Sequence, residues 1–480
     1  MEELANELNL KKSSSGNEIV SELERLKAEA MLKNDVCIEP LTGDDISILS
    51  QCSNSTKEGW RTHGLELISR GEVAVVVLAG GLGTRLGFDH PKGCYDIGLP
   101  SHSSLFQYMC EKLLHLEETA NSRFSINSAT INLYVMTNKS NAAPTKSFFE
   151  EHKFFGLKSS QIFFFCQENI PVIDYEGNVI QEEGGHGDVI RTPNGNGGVF
   201  KGLAESGALD DMDTKHIQWI HFVGIDNIMI RCADPVFIGL CDEKKVDLGN
   251  KVVRKMNPTE SVGIFCWKTP KEEASSSSTP SEQSSSPSPK EEQKPKRRYC
   301  LTEYIEMTDE EKHRVDSATG RLSFSAANIL SHLFSIHFLH KCCEQRNQLK
   351  YHVTKKEKGY VCEGVSVPGK TYKMEKFIPD SFALADKVAT VEVLREEEFC
   401  PVKNSTGSDS PAVARAMLQN LWNKWIIAAG GKIEFPEESK EKQEESICLV
   451  EIPPQVSYDG SELEEYVKGK VFHHGDIISK

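Results

Sequence analysis

The sequence predicts an α/β fold built on a mixed, mostly parallel sheet, and three observations carry that expectation. Glu72–Leu78 is a continuous run rich in β-branched residues that ends in Ala79-Gly80-Gly81, as suits a strand buried on both faces. Similar short apolar runs recur at Ile131–Met136, Ile162–Phe165 and Ile217–Val223. Segments of helical character, Ser104–Glu118 and Ala143–His152, lie between them. Strands alternating with helices predict parallel pairing through right-handed crossovers.

Before these runs, Ile19, Leu23, Leu26 and Ala30 fall at helical spacing among charges, so residues 18–33 read as an amphipathic helix packed on the body. Residues 1–70 are therefore expected to form an N-terminal helical region, and 71–403 the main unit. Within it, 274–298 (ASSSSTPSEQSSSPSPKEEQKPKRR) is nearly devoid of apolar residues. Such a segment buries too little surface to offset its chain entropy, so disorder is expected. It separates two strand-like pieces, Ser261–Trp267 and Tyr299–Tyr304, as an expanded hairpin loop would. After Lys403 come a polar loop, a helix-like stretch from Ala412 to Ala429 and alternating pieces including Ile447–Ile452. These define a small α+β C-terminal domain, 404–480.

Lys plus Arg number 55 against 71 Asp plus Glu, a net charge of −16. A body this acidic repels nucleic acid and anionic membranes, and must bring its own cations to any phosphate ligand. The N-terminus has no apolar signal region, and no stretch approaches the about 18 apolar residues of a membrane span. The 14 cysteines show no C-x-x-C spacing, which fits reduced thiols. A cytoplasmic protein is expected, with neither a nucleic-acid nor a membrane partner.

The segment richest in chemistry is Leu78-Ala-Gly-Gly-Leu-Gly-Thr-Arg-Leu-Gly87, followed by Pro91-Lys92-Gly93. Glycines after a strand let backbone N–H groups approach phosphate oxygens, Arg85 can fork onto them, and Lys92 adds a compact charge. The dinucleotide fingerprint G-x-G-x-x-G fits Gly81 and Gly83 but then meets Leu86. The pattern G-x-x-x-x-G-K-[ST] fits no glycine here. A dinucleotide-dependent dehydrogenase and a P-loop ATPase are both disfavoured.

LAGG-x-GTRLG followed by PKG resembles the signature of eukaryotic UDP-sugar pyrophosphorylases. Cys94-Tyr-Asp-Ile-Gly-Leu-Pro-Ser101 narrows the likeness to the UDP-N-acetylhexosamine (UDP-N-acetylglucosamine) pyrophosphorylase family, and it runs from about Trp60 to Phe472. The resemblance implies a Rossmann-like nucleotidyltransferase domain. It implies joining of UTP to N-acetylglucosamine 1-phosphate, or its N-acetylgalactosamine counterpart, with release of pyrophosphate. It also implies dependence on Mg²⁺, with Mn²⁺ as an alternative ion, in a monomer or homodimer.

Site residues follow from the same resemblance. Leu78, Ala79, Gly80 and Gly81 match the nucleotide cradle, and Arg85 and Lys92 the basic pair on the UTP phosphates. Gln167 matches a uracil reader; an amide complements the acceptor–donor–acceptor edge of uracil. In Pro193-Asn-Gly-Asn-Gly-Gly198, Gly195 is expected against the nucleotide and Asn196 against the sugar and its acetamido group. Asp226, after a strand, matches a Mg²⁺-associated, UTP-site carboxylate. Glu303 and Tyr304, expected in the strand after the insert, and Asn328 match sugar-hydroxyl readers. Lys373 matches a nucleotide-phosphate lysine, and Lys403 a lysine on the sugar phosphate and attacked phosphorus. Arg85, Lys92 and Lys403 are the catalytic cations in this reading. Leu82 replaces an expected Gln, and Pro379 an expected aromatic. Two alternatives stand beside this function: a broad-specificity UDP-sugar or UDP-glucose pyrophosphorylase, and a catalytically silent nucleotide-sugar-binding regulatory protein.

Overall fold

The computed structural model describes residues 16–31, 36–182, 188–270, 297–362, 365–434 and 449–480. The insert expected at 274–298 lies outside these residues except for Arg297 and Arg298 at its end.

Eleven strands form one sheet. They are β1 (Val36–Pro40), β2 (Ile46–Ile48), β3 (Val73–Leu78), β4 (Asn132–Thr137), β5 (Ile162–Cys166) and β6 (Trp219–Gly224). Then follow β7 (Leu248–Arg254), β8 (Ile264–Pro270), β9 (Arg298–Thr302), β10 (Ala326–Ser335) and β11 (Val388–Glu392). Eight of them lie in the order β2-β11-β7-β10-β6-β3-β4-β5. Every pairing along that path is parallel except the two made by β10, which is antiparallel to β6 and β7. β8 forms the expected hairpin with β9, takes β1 on its other edge, and touches β10 at Ile264.

Helices cover both faces. We label them α1 (Gly16–Met31), α2 (Asn54–Ser69), α3 (Leu105–Phe124), α4 (Ala142–Glu151), α5 (Val199–Glu205), α6 (Pro235–Lys244), α7 (Ile336–Glu344) and α8 (Pro411–Ala428). Their starts are set locally: the hydroxyls of Ser53, Ser104 and Ser410 accept from Thr56 N, Gln107 N and Val413 N. Each satisfies one of the N–H groups that a helix start leaves without a partner. Pro411, with no N–H to lose, opens α8.

β3 shows why the uniform apolar run belongs at the centre. Val73, Val75 and Val77 share one apolar cluster with Leu105, Met109 and Leu113 of α3, whereas Ala74 and Val76 share another with Phe200 of α5 and Phe338 of α7. Alternate side chains thus feed two cores, and residues 73–77 are fully buried. Burying each valine contributes about 1.5–3 kcal/mol.

The terminal regions are more integrated than their expected boundaries suggest. The 1–70 stretch is not wholly helical: β1 and β2 lie in it and extend the sheet. Both strands are short, without clear alternation, and pair with partners far along the chain. Leu418 and Trp422 of α8 share one apolar cluster with Trp60 and Leu65 of α2. Of the Ile447–Ile452 piece, the described part makes one isolated bridge, Glu451 to Ile477. The amphipathic N-terminal helix is present as α1, with Ile19 and Leu23 fully buried against Ile170, Tyr351 and Met374. No helix among the described residues is long and apolar enough to cross a membrane. The described cysteines are free thiols.

Candidate active site

The chain leaves β3 towards β4 and β5, then returns to place β6 on the opposite side of β3. Strand order reverses there, and in open α/β sheets ligands bind beyond the carboxyl ends of strands at such a point. Leu78 and Gly224, the last residues of β3 and β6, are register partners. The glycine loop and Asp226 therefore emerge side by side.

The loop is held by two asparagines that follow β4. Asn141 Nδ2 donates to Ala79 O at 3.0 Å, and Asn138 Nδ2 donates to Gly80 O. Both side chains are fully buried. Gln167 sits just past β5, its N–H donating to Thr137 O at 2.8 Å. Its side-chain amide lies so near Gly80 that a Cβ there would stand 2.8 Å from Nε2. Leu82 pairs with Pro91 in a short antiparallel turn, and Lys92 N donates to Gly81 O at 3.1 Å, which closes the loop on itself.

Lys92 Nζ lies 3.7 Å from Asp226 Oδ2. Burial pushes the Lys92 ammonium below its ordinary range; Asp226 opposes that shift, while the charges of Lys403 and Arg85 add to it. Arg85, Lys92, Asp226 and Lys403 thus share one electrostatic neighbourhood. Main chain ties it together: Val402 N donates to Asp226 O at 2.8 Å, and Ser405 N to Arg85 O at 3.1 Å. Lys403 itself is 3.7 Å from Asp409 Oδ2.

The 193–198 loop forms the next wall. Gly195 has φ of +74°, and a Cβ there would lie 2.4 Å from Lys376 O, so only glycine fits. Gly197 N donates to Lys376 O at 2.8 Å, and Asn196 Oδ1 accepts from Ile378 N at 3.0 Å. The Asn196 acceptor is therefore committed to the protein, and its Nδ2 is the group that can donate to a ligand. Lys373 pairs with Glu375 Oε2 at 2.9 Å, and the Glu375 Cβ would stand 3.0 Å from a Gly195 Cβ. Pro379 is the second residue of a 3-10 helix, Ile378–Leu384, in the first turn, where its missing N–H costs nothing.

Glu303 and Tyr304 are not in a strand: β9 ends at Thr302, and they enter the following turn. Glutamate 306 turns the chain there, its carboxylate facing Glu303 N at 3.4 Å. Burial pushes the Glu303 carboxyl up, with help from Glu306 and Asp380 and opposition from His352. His352 Nε2 lies 3.0 Å from Asp380 Oδ2, its ring 4.6 Å from that of Phe377. Asn328, on β10, uses its Oδ1 to accept from Leu330 N at 2.9 Å, and the Leu330 side chain lies against Gly224.

Asn138, Asn141, Asn227 and the His352–Asp380 pair were missed by sequence reasoning. Thr137-Asn-Lys-Ser-Asn141 after a strand carried a usable signal, since paired asparagines commonly bond to main chain. Nothing local marked His352.

Comparisons with known proteins give the family and the fold. A family model described as UTP–glucose-1-phosphate uridylyltransferase matches residues 24–277. UDP-N-acetylglucosamine diphosphorylase 2 of Arabidopsis thaliana is 35% identical over 91% of this chain and 81% of its own. UDP-N-acetylglucosamine pyrophosphorylase of Saccharomyces cerevisiae is 34% identical over 92% and 85%. The crystal structure of uridine diphosphate N-acetylglucosamine pyrophosphorylase from Trypanosoma brucei, in complex with inhibitor, superposes with a TM-score of 0.76 at 28% identity, covering 97% of this chain and 88% of that one. A UDP-glucose pyrophosphorylase from Leishmania major shares the fold, with a TM-score of 0.58 at 14% identity over 88% of this chain and 82% of that one. On its motifs, its sheet and these similarities, the chain belongs to the UDP-N-acetylhexosamine pyrophosphorylase family.

Proposed function

We propose that the chain transfers the uridylyl group of UTP to N-acetylglucosamine 1-phosphate, releasing pyrophosphate. The observation that carries the reading is the convergence of Arg85, Lys92, Asp226 and Lys403 beyond β3 and β6, beside a glycine loop pinned by Asn138 and Asn141. The chemistry asks for little else. A sugar-phosphate oxygen attacks the α-phosphorus of UTP, its bond forms as the α–β bridge breaks, and pyrophosphate carries away the electron pair. Catalysis is then positioning and neutralisation of charge on the entering and leaving oxygens.

In this reading Gln167 pairs with the uracil edge above Gly80, and the loop's N–H groups, Arg85 and Lys92 take the phosphates. Gly195 and Lys373 border the nucleotide. Asn196 Nδ2 donates to the acetamido carbonyl, and Glu303, Tyr304 and Asn328 face the sugar hydroxyls. Lys403 meets the sugar phosphate.

Asp226 is the residue that would hold Mg²⁺ or Mn²⁺. Among the described residues no group of three or more His, Cys, Asp or Glu side chains could hold an ion. A lone carboxylate fits an ion that arrives with its phosphates and waters, as Mg²⁺ does. Such an ion supplies neutralisation of the leaving pyrophosphate.

The N-acetyl branch is favoured over the UDP-glucose branch by the 28% against 14% identity of the two superposed structures. The deciding experiment is pyrophosphate release with UTP, Mg²⁺ and a panel of sugar 1-phosphates. Turnover with N-acetylglucosamine 1-phosphate is expected. Equal use of glucose 1-phosphate would transfer the chain to the broad-specificity class, and binding without turnover would make it a regulatory protein.

A further inference from the structure

Asn227 directly follows Asp226, is 3% exposed, and spends both ends of its amide on one distant segment. Its Nδ2 donates to Glu398 O at 2.8 Å, and its Oδ1 accepts from Cys400 N at 2.8 Å. Its backbone also bridges to Pro401, and Val402 N donates to Asp226 O at 2.8 Å. The segment from Glu398 to Val402 is thus pinned at Glu398, Cys400, Pro401 and Val402 to the strip Asp226–Asn227. Lys403 is the next residue.

The far side of Lys403 is fixed as well. Lys403 N donates to Asp409 O at 2.7 Å, and Ser405 N to Arg85 O at 3.1 Å. Behind the clamp, the Glu398 carboxylate lies 2.5 Å from Lys251 Nζ, which is fully buried and equally close to Asp234. Asp234 in turn caps α6, accepting from Val236 N at 3.0 Å. A buried amide costs free energy unless its donors and acceptors are met, and among the described residues both ends are met by the segment that leads to Lys403.

We propose that Asn227 is a positioning residue for Lys403, its amide setting the lysine's place relative to Asp226 and Lys92. The proposal rests on the reading of Lys403 as the cation at the sugar phosphate. Displacing a catalytic group by 1 Å costs up to about 10²-fold in rate. The glycine loop, read as the UTP cradle, has its own anchors in Asn138 and Asn141.

The test is a double-mutant cycle in the full chain, with pyrophosphate release as the assay. Asn227→Ala is expected to lower kcat about 10- to 100-fold while the KM for UTP stays within about twofold. In a Lys403→Ala background the same change should cost less than about threefold, because a misplaced group cannot be lost twice. A merely structural role would lower kcat by the same factor in both backgrounds, and that result overturns the proposal. So does an Asn227→Ala enzyme with unchanged kcat. Asn227→Ser, whose hydroxyl can still meet one of the two main-chain groups, is run in parallel. It gives the same cycle should the alanine variant not fold. If Lys403→Ala alone stays within about twofold of wild type, the reading of Lys403 itself fails, and that failure is separate from additivity in the cycle.

Discussion

Lys92 Nζ stands 3.7 Å from Asp226 Oδ2, and the lysine is depressed by burial and by two neighbouring cations, Lys403 and Arg85. The pair joins the glycine loop of β3 to the tip of β6. Asp226 is the counter-charge beside Lys92, and Asp409 the one beside Lys403, in a crowded set of positive groups. Bringing a triphosphate into that neighbourhood relieves their repulsion.

Asp226→Asn should therefore lower activity and weaken the dependence on divalent cation together. Chelation of Mg²⁺ should abolish turnover in the wild type, since the leaving pyrophosphate would lose its neutralising ion. Turnover measured across a magnesium titration, with and without chelator, checks both. Full activity in excess chelator removes Asp226 from this role.

Asn196 separates two functions in one amide. Asn196→Asp keeps an oxygen for Ile378 N, so the loop stays docked, but replaces the donor assigned to the acetamido carbonyl. Unpaired buried polar groups cost about 1–3 kcal/mol, so the preference for N-acetylglucosamine 1-phosphate over glucose 1-phosphate should shrink by roughly 5- to 150-fold. Comparing kcat/KM for the two sugars is the measurement. A preference unchanged in the variant would place the specificity elsewhere.

Two glycines should fail differently. Gly195→Ala imposes both a φ of +74° and a Cβ 2.4 Å from Lys376 O, so the loop must move. Loss of thermal stability and of activity is expected together. Gly80→Ala would crowd the end of Gln167, whose Nε2 would lie at 2.8 Å, while the Thr137 main chain stays at an ordinary contact distance of 3.7 Å. That variant should keep its melting temperature and raise the KM for UTP about tenfold, the loss of roughly one hydrogen bond. A Gly80→Ala enzyme with wild-type KM would detach Gln167 from the nucleotide.

Asp459 reports acid stability. Burial alone would raise its carboxyl, but the Arg61 and Arg231 charges and the Ser461 hydroxyl outweigh that and hold it at about 2. A depressed carboxyl stabilises the fold above its ordinary value of 3.8, and that contribution is lost as pH falls towards 2. The amount is on the order of 2–3 kcal/mol. Asp459→Asn should be less stable than wild type at neutral pH, with the gap closing between about pH 4 and pH 2. Urea unfolding at several pH values measures it, and a constant gap would refute the pairing.

Local chemistry made much of this protein legible from its sequence. The β-branched run Glu72–Leu78 suited a doubly buried strand, and Val73–Leu78 proved central to the sheet. Gly80, Arg85 and Lys92 fall in one continuous motif, so their grouping needed no knowledge of the fold. What lay beyond reach depended on contacts between residues far apart. β1 and β2 look like nothing in isolation, because a strand of five or three residues gains its hydrogen bonds only from partners such as β8 and β11. Glu303 and Tyr304 read as strand, yet the chain turns at Glu306. Asn227 is one amide among many until Glu398 and Cys400 arrive on either end of it, over 170 residues later. Sequence alone determined the α/β pattern and the glycine-rich loop with its nearby cations, because periodicity, glycine and charge act over a few residues. Only the tertiary structure decided which buried amides hold the site together, because a hydrogen bond to a distant main chain leaves no mark on the residues beside it.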